Sequence, residues 1–367
     1  MKVLFAGGGT GGHIYPALAL ARYLREKEGA DVLFVGTARG MEAQIVPAEG
    51  FPLELVPVEG LTRRISLKLG RALYLAGAAV FRSRRLLKRF QPDVVVGTGG
   101  YVAGPVVLAA WLAGIPTVIH EQNVIPGLTN VWLSRLASCV CLSFPGSEKY
   151  FPNRQKTVLT GNPRATDAYR AAGAPPPAEP LLDDRRPVLL CVSGSQGAAR
   201  INEAFSAALE AVLASCQVQV VYITGRRYFA ELSIKLSRLQ QRYRTSLHLL
   251  PYHAQLPMLL ARTSLMVSRA GATTLAEVTT LGVPSILIPS PNVTSNHQEH
   301  NARLLADKGA AVLIKEEELS AAGLATLLVE LLSDRKRLAA MAQASKALGV
   351  PDAAARMAAV ISSLCRR

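Results

Sequence analysis

Residues 1–20 read MKVLFAGGGTGGHIYPALAL. A short apolar run at 3–6 gives way to Gly7-Gly-Gly-Thr-Gly-Gly12. Beyond it Ile14, Ala17, Leu18, Ala21 and Leu24 recur at helical spacing. Strand, glycine turn and helix in that order open a parallel α/β sheet. The turn also matches G-x-G-x-x-G, a dinucleotide pattern. That pattern needs an acid about 20 residues on, at the end of the second strand, to hold a ribose. The second strand is predicted at 32–35 and ends in Gly36-Thr37, with Asp31 at its wrong end. The acid is missing where NAD would need it.

Outward from this stretch, strands are predicted at 53–56, 94–96, 117–119, 139–142 and 158–160, with helical patterns between most of them. Residues 171–180, AAGAPPPAEP, make a poor core and a good linker. After it PVLLCVSGSQGAA (187–199) repeats strand, glycine turn and helix. Further strands are expected at 218–223, 247–250, 265–267, 285–288 and 311–313. The expectation is an α/β chain of two Rossmann-like, doubly wound domains facing across a cleft, 1–163 and 164–344. A last helix, about 345–367, is expected to pack back on the first.

Composition narrows the class. With 367 residues and 50% hydrophobic content, the chain can build more than one core. Five cysteines with no C-x-x-C pair point away from a disulfide framework and toward a reducing cytoplasm. No secretory signal is visible. The uncharged run 94–119 has the length of a membrane span but contains five glycines and two prolines. It reads as strand, glycine loop, helix 103–113, turn and strand. The net charge is +15, and residues 61–92 hold nine cations and no acid. Among them Arg71, Arg82, Arg85 and Lys88 interleave with apolar and aromatic side chains, which suits an anionic membrane surface. Nucleic acid is not expected, since no helix-turn-helix, zinc or RNA-binding signature accompanies the charge.

Four glycine-rich turns stand at predicted strand ends: 7–13, 97–104, 193–198 and 268–274. Backbone N–H groups there, with the dipoles of the helices that follow, favour anions such as diphosphate. A nucleotide diphosphate plus a second, partly anionic substrate is the expected ligand set.

At this point the motifs become specific. FAGGGTGGHIYPA (5–17), GTGGYVAGP (97–105), HEQN (120–123), SGSQGA (193–198), SRAGA (268–272), His297-Gln298 and Asn301-Ala302 resemble, in the same order, the bacterial MurG-type cell-wall glycosyltransferases. One departure is Asn296, where the family pattern carries Asp. The resemblance implies a GT-B fold and an inverting hexosyltransferase. It would move N-acetylglucosamine from UDP-N-acetylglucosamine to undecaprenyl-diphosphate-linked muramyl-pentapeptide, in peptidoglycan synthesis. The place implied is the cytoplasmic face of the bacterial inner membrane, held peripherally, with other cell-wall synthesis proteins as candidate partners. The alternatives are a related glycolipid transferase, a sugar-nucleotide epimerase, or a basic membrane-binding adaptor.

Glycosyl transfer needs an acceptor hydroxyl that loses its proton, an oxocarbenium-like sugar and a stabilised leaving diphosphate. No Asp-x-Asp metal motif exists, so no cofactor is expected, although divalent-ion stimulation stays open. His297 and His300 stand at i, i+3, but no further metal ligands gather with them. His13, at a helix start that disfavours imidazolium, is the candidate base. Glu121 is its rival, and Tyr101 lies with them. Gly9, Gly99 and Gly100 are assigned to the acceptor, and Thr10, Gly11 and Gly12 to the reacting centre. Ser195 could donate to phosphate, and Ala272 and Thr273 begin the second domain's phosphate-binding helix. Glu277 can accept both ribose hydroxyls. The resemblance adds Tyr252 and His253 near uracil. Gln298 is expected on the sugar, Asn123 as a donor or acceptor contact, and Arg164, at the expected domain junction, on the donor phosphate.

Overall fold

Each apolar run expected as a strand is one, and helices lie between most of them. The computed structural model describes residues 1–59, 67–174, 182, 186–194 and 197–365, with 67–73 described by their backbone path alone. The chain divides into two units, Met1–Asp167 with Asp352–Arg367, and Ala168–Pro351.

In the first unit β1 (Lys2–Gly7), α1 (Gly11–Glu28), β2 (Asp31–Gly36), α2 (Glu42–Ala48), β3 (Leu53–Leu55) and α3 (Leu67–Phe90) are followed by β4 (Val94–Gly99), α4 (Ala103–Leu112), β5 (Thr117–Glu121), α5 (Leu128–Leu133), β6 (Cys139–Leu142) and β7 (Thr157–Leu159). The seven strands form one sheet in the order β3-β2-β1-β4-β5-β6-β7, each pair parallel. Side chains alternate across it. Val3, Phe5, Val32, Phe34, Val94 and Val96 build the core under α1, while Leu4, Ala6, Leu33, Val35 and Val95 build the core on the other face, with residues of α3 and α4. The uncharged run is β4, a loop, α4, a turn and β5. Among the described residues no helix is long and apolar enough to cross a membrane.

Next comes α6 (Arg164–Ala172). Residues 171 and 172 of the expected linker close this helix, while 175–180 lie outside the described residues. The second unit holds β8 (Val188–Val192), α7 (Ala199–Ser215), β9 (Gln219–Ile223), α8 (Phe229–Lys235), α9 (Ser237–Arg242), β10 (Leu247–Leu250) and α10 (Leu256–Leu260). It continues through β11 (Leu265–Ser268), α11 (Ala272–Leu281), β12 (Ser285–Leu287), α12 (His297–Asp307), β13 (Ala311–Leu313), α13 (Ala321–Ser333) and α14 (Arg335–Ala347). Its six parallel strands run β10-β9-β8-β11-β12-β13.

The last helix, α15 (Ala353–Cys365), packs on α1, where Met357, Ala358 and Ile361 enter the first unit's core. The unit junctions fall inside α6 and just before α15, rather than at 163/164 and 344/345. The first turn of α6 is tied to the first unit, since Asp167 pairs with Arg22 and Thr166 Oγ1 accepts from Ala354 N at 3.0 Å. Ser345, by contrast, donates to Val278 O at 3.4 Å in the second unit.

Both strand orders reverse direction at one place, between β1 and β4 and between β8 and β11. Loops leaving the carboxyl ends of two such strands open a crevice, where ligands of doubly wound sheets bind. The four glycine turns leave those four strands.

Candidate functional site

Gly7, at the end of β1, pairs with Gly99 at the end of β4 across a register shift that skips Thr98. The two loops touch at once. A Cβ at Gly7 would come 2.0 Å from Thr98 Oγ1, and one at Gly100 would come 2.5 Å from the Gly8 carbonyl oxygen. Gly99 and Gly100 have φ of +106° and +76°, where a side chain is disfavoured. The His13 ring lies against this second loop, so that a Cβ on Gly99 would meet its Cδ2 at 2.8 Å and its Nε2 at 3.0 Å. His13 Nδ1 stands 3.0 Å from Gly8 O and 3.3 Å from Thr10 Oγ1. A carbonyl only accepts, so Nδ1 carries the hydrogen and Nε2 is the basic nitrogen of the neutral ring. Tyr101, 38% exposed, sets its ring beside Gly9, whose φ is +84°. Thr10 precedes α1 without capping it by its side chain, and no acid sits in the first turn. The first-turn amides, Gly11 and Gly12 among them, therefore keep their capacity for an anion.

One residue that the sequence did not single out shapes this loop. Glu42, at the start of α2, is 1% exposed. Its Oε2 accepts from Gly9 N at 2.9 Å, and its Oε1 accepts from Thr37 N at 2.9 Å and Thr37 Oγ1 at 2.8 Å. Gly36 is the signal that pointed here. It stands where a dinucleotide fold has its acid, and the space it leaves is filled by Glu42 Cγ, 2.4 Å from where a Cβ would be.

Glu121 does not fit the role of rival base. It is 1% exposed, and both oxygens are engaged: Oε1 accepts from Asn123 N at 2.9 Å and Asn123 Nδ2 at 3.3 Å, Oε2 from Asn130 Nδ2 at 2.8 Å and Gly127 N at 3.1 Å. Burial raises its pKa, and these donors only partly oppose the rise. The carboxylate folds the loop after β5, and Asn123 is one of the groups it holds. Beside it, burial pushes His120 down to about 3, so that ring is neutral. Its Nε2 pairs with Ser143 Oγ at 3.0 Å, and its Nδ1 lies 3.2 Å from Gln122 Nε2.

In the second unit α11 starts at Ala272 behind Gly271, with no side-chain cap and no acid in the first turn. Thr273 Oγ1 is buried and makes no hydrogen bond among the described residues. Glu277 lies one turn further in and is 4% exposed, so it is not a solvated helix carboxylate. Gln298 Oε1 accepts from Ser290 N at 3.0 Å, and Asn301 Nδ2 donates to Ala270 O at 3.2 Å, tying α12 to the β11 loop. Asn296 has φ +49° and Ser295 +55°, so the departure from the family pattern falls in the left-handed region that asparagine tolerates well. His297 Nδ1 lies 2.8 Å from Thr294 O. Tyr252 is 42% exposed with Arg226 5.0 Å from its ring centroid, and burial lowers the pKa of neighbouring His253. Ser195 lies outside the described residues. Its loop is flanked by Gly194 and Gly197, with φ of +88° and +82°.

Two family models account for most of the chain, the glycosyltransferase family 28 N-terminal domain over residues 3–142 and the family 28 C-terminal domain over 188–357. The chain belongs to glycosyltransferase family 28. A family 28 relative from Natranaerobius thermophilus is 43% identical over 99% of this chain and all of its own length. It is named UDP-N-acetylglucosamine–N-acetylmuramyl-(pentapeptide) pyrophosphoryl-undecaprenol N-acetylglucosamine transferase. A protein of the same name from Oenococcus oeni is 45% identical, covering 97% of this chain and 95% of its own. The crystal structure of Acinetobacter baumannii MurG is similar at 31% identity over 99% of both chains, with a TM-score of 0.77. A putative UDP-N-acetylglucosamine 2-epimerase from Listeria monocytogenes shares the fold at 17% identity and a TM-score of 0.72. The fold is thus the two-domain GT-B fold of family 28.

Within that family 28 frame Arg164 approaches the first glycine loop through Tyr15, whose ring lies 3.0 Å from where a Cβ on Gly11 would be. Arg164 opens α6, stacks 5.6 Å from the Tyr15 ring centroid and stands 3.6 Å from Asp167. Arg82, Arg84, Arg85 and Lys88 are exposed on α3 with Tyr74 (76%) and Phe81 (57%). Arg71 lies in α3, and its side chain is outside what is described.

Proposed function

We propose that the chain is an inverting transferase that moves N-acetylglucosamine from UDP-N-acetylglucosamine to an undecaprenyl-diphosphate-linked muramyl-pentapeptide. The observation that carries this is full-length identity of 43% to a transferase of that name, joined to family 28 matches in both units. In this reading His13 Nε2 takes the proton of the acceptor hydroxyl as that oxygen attacks the anomeric carbon and the bond to UDP breaks. The acceptor's diphosphate is held by the first-turn amides of α1. Tyr101 borders the acceptor beside Gly9. The leaving UDP diphosphate is held by the start of α11, where uncapped amides and the helix dipole oppose its charge without requiring a metal. Thr273 offers an additional hydroxyl, Glu277 takes the ribose, Gln298 reads the sugar and Tyr252-His253 border the base.

The long lipid tail of such an acceptor stays in a bilayer, so the enzyme must come to the surface. The aromatic and basic face of α3 suits that task at an anionic cytoplasmic leaflet. The test is transfer of labelled N-acetylglucosamine from the UDP conjugate to the lipid acceptor in detergent micelles, with and without a chelator. Labelled lipid product is expected in both conditions. Well-folded protein that yields none would sink the proposal.

A further inference from the structure

The strongest unexplained feature is a carboxylate buried among glycines, outside the groups that would touch substrate. Glu42 faces three of them: a Cβ at Gly8 would come 2.4 Å from its Oε1, one at Gly36 2.4 Å from its Cγ, and one at Gly40 2.1 Å from its Oε2. A pocket made of missing side chains fits one carboxylate. Its oxygens are divided between two elements, Oε1 on Thr37 after β2 and Oε2 on Gly9 N. The charge-assisted bond to Gly9 spans 33 residues of sequence and ends on a residue with φ +84°.

We propose that Glu42 is the positioning residue of the first glycine loop, clamping Gly8–Thr10 to the end of β2 and so setting where His13 and Tyr101 stand. Two contacts carry the effect onward. The Gly8 carbonyl accepts from His13 Nδ1, and Gly9 borders the Tyr101 ring. The clamp also settles which amides serve a ligand. Gly9 N–H is spent on the chain's own anion, and a phosphate approaching Gly8 or Gly9 would meet a carboxylate. Anion binding is thereby confined to the amides of the α1 first turn.

This inference rests on the transferase reading for its kinetic arm, and its spectroscopic arm does not. Glu42→Gln is isosteric but cannot accept on both sides, so either Gly9 N–H or Thr37 N–H loses its acceptor. Expected are an unchanged melting rise on UDP addition, a KM for UDP-N-acetylglucosamine within about twofold, and a kcat reduced by about 30-fold or more, as misplaced catalytic groups cost. In the ¹⁵N-labelled protein the His13 ring resonances should shift and their titration midpoint move. If Glu42→Gln does not fold, Gly40→Ala serves instead, since its Cβ would come 2.1 Å from Oε2 and 2.2 Å from Oε1 and so displaces the whole carboxylate, and the same signature is expected. Wild-type kcat together with an unshifted His13 titration in a folded variant would overturn the clamp. Wild-type protein without transfer activity would count against the transferase reading, and the His13 titration would then decide the clamp alone.

Discussion

The carbonyl oxygen of Gly8 lies where a β-carbon on Gly100 would approach it to 2.5 Å, and the same oxygen accepts the Nδ1 hydrogen of His13. One backbone atom thus joins both glycine loops to the candidate base. Gly100→Ala is strained at its φ of +76°, at about 1–2 kcal/mol for the left-handed region alone, and its Cβ also pushes Gly8 away. The sheet beneath is untouched, so the variant should fold with a modestly lower melting temperature. Its kcat should drop by about 100-fold, because a displacement on the order of 1 Å suffices for that. Steady-state kinetics beside a melting curve check the pair of outcomes. Full activity would mean that the loops need not touch.

His13 admits a sharper separation of roles. In His13→Asn the side-chain amide can still donate to Gly8 O, yet no basic nitrogen remains. The expected result is a kcat about 10²–10⁴-fold lower with the loop intact, the range general-base catalysis supplies. His13→Ala loses both functions and should show no less of a defect. Equal activity of His13→Asn and wild type would remove His13 as the base.

Strand positions were legible because a parallel sheet buried on both faces writes continuous apolar runs such as 3–6 and 94–96, and glycines mark the turns. Those turns lie where each sheet reverses its strand order, a fact about topology that spacing alone does not contain. Glu42 was not legible. Its partner Gly9 lies 33 residues away, and the acid comes from a helix start rather than a strand end. The only trace was negative: Gly36 and Gly40 clearing space on either side of it. Glu121 misled for the reverse reason. A glutamate after a strand looks like an exposed acid, and its burial under Asn123, Gly127 and Asn130 depends on a loop that folds back over it.

The α3 surface should behave as an electrostatic membrane contact. Tyr74, Phe81, Arg85 and Lys88 follow helical spacing along one side of the helix, with Arg85 4.4 Å from the Phe81 ring centroid. Each cation near an anionic surface is worth about 1 kcal/mol, so Arg82→Gln, Arg85→Gln and Lys88→Gln together should weaken partitioning by about 100-fold. Cosedimentation with phosphatidylcholine vesicles containing phosphatidylglycerol measures this, and added salt should abolish most of the difference. Transfer to a detergent-solubilised acceptor should stay near wild type. Partitioning that ignores the three substitutions would assign the membrane contact elsewhere.

His120 and Glu121 are consecutive residues with opposed pH effects. His120 titrates near 3 in the folded chain and near 6.5 when unfolded. Between those values the unfolded state binds more protons, so stability falls as pH drops below 6.5, by up to about 1.4 kcal/mol per pH unit. Glu121 has a raised folded pKa, so its contribution is fully present below about 4.5, the ordinary carboxylate value, and is lost as pH rises through the folded value. Below 4.5 Glu121 is protonated in both states, and the His120 slope stands uncompensated. Denaturant unfolding of wild type and His120→Asn from pH 7 to 3.5 isolates it, since all the other titratable groups are common to both proteins. The stability advantage of wild type should shrink steadily with acidification. Parallel curves would mean that His120 accepts a proton without leaving its buried site.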